Sequence, residues 1–130
     1  MAKWQNDAML DAGLNYVKTG ATRELAIASY TLGDSYATVT ATANVLASKT
    51  ISSTDFTGPA NGDTSGRKLT VNAQTGNVVI YSGTATHMAL TNGSDTVLYV
   101  TSLSASQALT DNDSNTVNFP AWDIEIADAA

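Results

Sequence analysis

No cysteine occurs in the 130 residues, which excludes a disulfide framework and thiolate metal sites and fits a chain made in a reducing cytoplasm. Basic residues are scarce: Lys3, Lys18, Arg23, Lys49, Arg67 and Lys68 stand against 12 acidic side chains, for a formal net charge of −6. Six scattered cations cannot neutralise a row of phosphates, so we expect no contact with nucleic acid or with an anionic membrane surface. Long apolar runs are missing too. No stretch approaches the roughly 20 residues that span a bilayer. The opening MAKWQNDAML lacks an apolar core of signal-peptide length, so we expect a soluble chain with no cleaved export signal. Charged residues make up only 14% of the chain, and Ser, Thr, Ala, Asn and Gly fill much of the rest. Such a composition is unlike that of a typical cytosolic enzyme and resembles that of proteins that pack in assemblies.

Histidine is nearly absent as well. The single one, His87, lies in GTATHMALTNGSDTVLYVTS, residues 83–102. Asn92-Gly93 is a strong hairpin signal, because a tight primed turn needs positive φ at its central residues. Alternation then places Ala85, His87 and Ala89 on one face and Thr86, Met88 and Leu90 on the other. A two-residue or a four-residue loop adds Leu98 and Val100 to the histidine's face, and Val97 and Tyr99 to the opposite one. No second histidine, cysteine or nearby carboxylate completes a zinc site or a nucleophile–base pair, so a half-buried structural role is expected.

The length suits a single domain. Residues 4–18, WQNDAMLDAGLNYVK, carry the one helical period, with Leu10, Leu14 and Val17 at i, i+4 and i+7 and Met9 and Tyr16 flanking. Asn6 or Asp7 can cap its start, Lys18 complements the dipole, and Gly20 fits the residue after the end. We divide the chain into a helical segment, 1–20, and a β body, 21–130. The apolar stripe has two uses open to it: packing on its own domain, or docking on a neighbouring subunit.

Beyond Gly20 the period changes to two. RELAIASY (23–30) and YATVTATANVLA (36–47) read as strands joined around Gly33-Asp34, and STDFTGPANGDTSG (53–66) reads as an extended exposed loop. RKLTVNA and NVVIYS form an expected hairpin around Thr75-Gly76. TDNDSNT (110–116) is a polar loop whose Asp111, Asp113 and Asn115 imitate the start of a calcium loop. Thr116 and Trp122 stand where glycine and a bidentate glutamate belong, so an Asx-rich turn is the reading we adopt. In FPAWDIEIADAA, Trp122, Ile124 and Ile126 share one face, while Asp123 and Glu125 guard the other against edge pairing. About eight short strands with one N-terminal helix predict a mainly β chain, a compact sandwich or barrel.

The two ends, MAKWQNDAMLDAGLNYVKT and NFPAWDIEIADAA, together with GDTSGRKLTV and SGTATHMALTNG, resemble a group of small auxiliary virion proteins of tailed bacteriophages. The resemblance implies a non-enzymatic protein that decorates or cements the exterior of a capsid, with no cofactor and no catalytic residues to carry over. Its implied partners are the major capsid protein and copies of itself, in a homo-oligomer such as a trimer. Trp4, Leu10, Leu14, Tyr16 and Val17 are the candidate partner-binding residues. The alternatives are a tail, head-fibre or head–tail joining component, and a carbohydrate-binding module that stacks sugars on Trp4, Trp122, Tyr36, Tyr81 or Tyr99.

Overall fold

A computed structural model of the chain describes residues 4–112 and 114–128. Helix α1, Asp7–Gly20, begins where Asn6 Oδ1 accepts a 2.8 Å hydrogen bond from the Ala8 N–H, satisfying one of the orphan donors of the first turn. It runs through Gly20, so that residue is not a left-handed stop. Ala21 ends the helix instead, in extended conformation, with its N–H on the Val17 carbonyl.

The rest of the described residues are mainly β, nine strands in three antiparallel sheets that stack in a sandwich-like body without closing into a barrel. β1 (Arg23–Ile27), β2 (Val45–Thr50), β6 (Gly83–Thr91) and β7 (Val97–Leu109) form the largest, in the order β2-β1-β6-β7. β3 (Phe56–Asn61), β4 (Arg67–Val71) and β9 (Trp122–Ile126) form the second, with β4 in the middle, and β5 (Gln74–Val78) pairs with β8 (Thr116–Phe119).

Three clusters hold these layers together. Leu14 and Val17 of α1 pack with Ile51, Phe56, Leu69, Val71, Leu90 and Ile124. Phe119 of β8 joins Ala26, Leu46, Ala85 and Met88 on the inner face of the large sheet. On the outer face, Leu25, Ile27 and Ala89 are covered by Val39 of a single-turn helix, α2 (Tyr36–Val39). β1 is therefore covered on both faces, and every residue of it after Arg23 is buried.

Several sequence expectations need correction. Residues 36–44 are not strand: Ser35 Oγ accepts from the Thr38 N–H, caps α2, and leaves β2 to start at Val45. The stretch 53–66 is not a continuous loop, because buried Phe56 anchors β3 against β4. Its ladder is interrupted between Thr57 and Ala60, beside Pro59, which lacks an N–H and is tolerated on an edge strand. The expected hairpin around Thr75-Gly76 does not form. β4 pairs with β3 and β9, while β5 turns away to pair with β8, a strand that the polar neighbourhood of 110–116 concealed.

The hairpin at Asn92-Gly93 does form, but residues 92–96 make up its loop. Asn92 Oδ1 accepts from the N–H groups of Ser94, Asp95 and Thr96, a side-chain imitation of a turn. A bulge between Leu90 and Thr91 then exchanges two side chains. Val97 joins Val100 on the Ala89 face, and Leu98 joins Tyr99 on the inner face, against Leu90. A second bulge, between Ala85 and His87, turns Ala85 inward to Met88 and bows residues 103–106 of β7 opposite Thr86.

Candidate functional site

The helix divides the candidate partner-binding residues into two groups. Leu10, Leu14 and Val17 are buried, and α1 packs mainly against β4 and β3, so the stripe serves the chain's own core. Trp4, Met9 and Tyr16 are left on the outside, with Trp4 82% and Tyr16 66% exposed. Met9 and Tyr16 are i and i+7 on one helical face, forming an apolar strip that the described residues leave uncovered. Polar contacts fasten the helix beneath that strip. Arg67 reaches Asp11 through Nε (2.8 Å) and Nη2 (3.2 Å), and Lys18 Nζ donates to the Gly58 carbonyl at 2.8 Å. The hydrogen bond to Asp11 raises the Arg67 pKa above its usual value.

Segments far apart in the sequence meet in space around the helix. Gln5 Nε2 donates to the Ala127 carbonyl at 3.1 Å, Gly13 lies against the end of Ile126, and Arg67 joins β4 to α1. At the edge, Asp123 accepts from Thr70 Oγ1 (2.7 Å) and lies 3.6 Å from Lys68 Nζ, and Glu125 accepts from the Asp63 N–H. The charges on this strand are thus tied down on its solvent side.

Two regions that could have held chemistry have local structural explanations. His87 is half-buried, tilted against Tyr30 with ring centroids 5.8 Å apart, and 2.7 Å from Thr86 Oγ1 through Nδ1. Thr86 donates its only hydroxyl proton to the Ala28 carbonyl, so Nδ1 is the donor in the histidine bond. His87→Gln is therefore expected to lower stability by about 1 kcal/mol and leave the fold unchanged, as read by thermal unfolding and circular dichroism. A loss of several times that would give the ring a larger role. In the polar loop, Asn112 Oδ1 accepts from the Ser114 and Asn115 N–H groups, as an Asx turn does. Asp113 lies outside the described residues. Among those described, no group of three His, Cys, Asp or Glu side chains could hold a metal.

Beneath the bow of β7 lies an open groove of about 240 Å³, lined by Ala26, Ala85, Met88, Leu103, Val117 and Phe119 among other uncharged residues. It offers apolar contact and no acid or base. Of the residues considered as sugar platforms, Trp122 and Tyr99 stack on each other, with centroids 5.8 Å apart and planes 29° from parallel.

The polar feature that sequence reasoning missed is Glu24. Its side chain is 0% exposed, and Oε2 accepts a 2.9 Å hydrogen bond from Trp122 Nε1 across the gap between the two larger sheets. Oε1 has no partner among the described residues. Burial raises the carboxyl from 4.5 to about 7, the Trp122 hydrogen bond opposes that rise, and the charge of Asp55 adds to it. RELAI does contain a clue. Ala26 shares the Glu24 face, so that face is not the polar side of an alternating strand.

No helix among the described residues is long and apolar enough to cross a membrane. No protein-family model, curated protein or solved structure matches this chain.

Proposed function

We propose that this chain is a non-enzymatic structural protein of a tailed-phage virion, a decoration or cement protein on the outer surface of the head. The observation that carries the reading is the divided helix. Its inner stripe is consumed by the β body, while among the described residues Met9 and Tyr16 on its outer side, and Trp4 ahead of it, are exposed. Interfaces concentrate their energy in a few aromatic and aliphatic anchors, so a strip of this kind suits contact with a capsid protein or a sister copy. Three of the four resembling segments meet at α1, β4 and β9, so the helix that carries the strip is fastened to the body by residues of those segments. In this reading the partners are the major capsid protein and further copies of the chain, with no nucleic acid, membrane or cofactor involved.

The experiment has two arms. Quantitative mass spectrometry of purified particles is expected to find hundreds of copies per virion. A dozen or fewer would make the protein a connector, tail or fibre component, and absence from particles would overturn the reading. In the second arm, Trp4→Ala with Tyr16→Ala is expected to leave thermal unfolding within a few degrees of the parent, because both side chains are exposed. Binding to undecorated heads should fall at least tenfold. Undiminished binding would move the contact elsewhere.

A further inference from the structure

We propose that Glu24 is a proton-controlled latch between the two larger sheets: with its proton it stays buried on the Trp122 indole, and without it the carboxylate leaves that contact for the Lys49 ammonium at the sheet edge. The device goes beyond the assembly role and is independent of it.

The geometry supplies both positions. In the buried one, Glu24 is fully enclosed, one oxygen meets the Trp122 N–H, and the other meets no donor among the described residues. A neutral carboxyl tolerates that site. A carboxylate with one neutral donor in an apolar interior does not, because desolvation of a charge is compensated only by strong partners. The second position comes from the register. Glu24 pairs directly with Lys49 of edge strand β2, so the two side chains project from the same face. Such neighbours have Cβ atoms roughly 5 Å apart, within reach of a lysine whose stem can lie along the sheet.

The other surrounding groups set the balance. Asp55, which accepts from the Ser52 N–H and from Gln74 Nε2, presents a second negative charge that disfavours ionisation of Glu24 in place. β6 presents Leu90 at the opposite pairing position, β9 presents Trp122 and turns Asp123 and Glu125 to solvent, and His87 lies on the outer face of the large sheet. Burial holds the carboxyl at about 7, so the latch operates near neutral pH.

The direction of the pH effect follows. The unfolded chain loses this proton near 4.5 and the folded chain near 7, so between those values the folded state binds more protons. The folded-to-unfolded ratio then falls as pH rises through that interval, by up to tenfold per unit, and the loss is complete above the folded value.

Trp122 reports on its own contact. The chain has two tryptophans, so Trp4→Phe leaves Trp122 as the sole indole emitter. In that background we expect its fluorescence to change across pH 5–9 with a midpoint no higher than about 7, because release to Lys49 favours the ionised form. Adding Glu24→Gln should abolish the transition and flatten the pH dependence of stability. Adding Lys49→Met, which removes the partner of the ionised form, should move the midpoint upward by about half a unit or more. A flat titration of the Trp4→Phe protein would overturn the proposal, and so would a transition that survives Glu24→Gln. An unmoved midpoint in Lys49→Met would do the same, and that variant decides the matter if Glu24→Gln does not fold.

Discussion

Leu14→Ala is expected to lower stability by about 3 kcal/mol and the midpoint of thermal unfolding by about 10 °C. Leu14 is 1% exposed and packs into the cluster that joins α1 to Phe56, Leu69, Val71, Leu90 and Ile124. Truncation removes the transfer free energy of the side chain and leaves a cavity that strands paired on both sides cannot readily fill. The helix has little to offset this, because a segment of its length is marginal in water and Gly13 weakens it by a further ~1 kcal/mol relative to alanine. Tyr16→Ala, two residues on and exposed, is expected to stay within about 0.5 kcal/mol of the parent. Chemical denaturation of the two variants checks the contrast. Equal stability would mean that the helix does not rest on the sheet.

Gly66→Ala is expected to be about as damaging, at roughly 3 kcal/mol, through the backbone. Gly66 has φ +70° just before β4, and a Cβ there would collide with the Ile126 carbonyl oxygen at the end of β9 and with the Ala127 Cα beyond it. Glycine is required at this position for space as well as for conformation. Relief means drawing the end of β9 away from β4, which weakens the pairing of Arg67 with Ile126 and loosens the site of the Gln5 contact. Gly76→Ala is the control. Its φ is +69°, yet nothing lies within 4 Å of the added carbon, so it should cost only about 1 kcal/mol. Hydrogen exchange should show faster opening of residues 122–126 in the Gly66 variant alone. Similar losses in both variants would refute the close-approach argument.

The divergence between these two glycines marks the limit of what local sequence reveals. The stripe Leu10, Leu14, Val17, the Asn6 cap, the turn at Asn92-Gly93 and the amphipathic 122–126 strand were all legible. Each is a local matter of helical or strand period, a cap, or a turn residue. Which use the stripe would serve was not legible, because packing on its own domain and docking on a neighbouring subunit suit the same periodicity; only the tertiary structure buried Leu10, Leu14 and Val17. The same packing left Met9 and Tyr16, which flank the stripe, exposed.

Strand partnership was a different matter. β4 and β5 are separated by two residues and still join different sheets, because any strand offers the same ladder of donors and acceptors to any other. The choice is made by which side chains find a common core. The short α2 displaced an expected strand for a related reason: Val39 is needed over the outer face of β1, and Ser35 can cap a single turn that puts it there.

Glu24 depended on tertiary structure most of all. Sequence determined that a strand would run through RELAI and that Trp122 would need an acceptor for its N–H if its ring were buried. Only the stacking of two sheets brought the residues together, 98 positions apart. That packing removed water from a carboxyl group that an isolated strand would have left hydrated, and so turned an ordinary acid into one that titrates near neutrality.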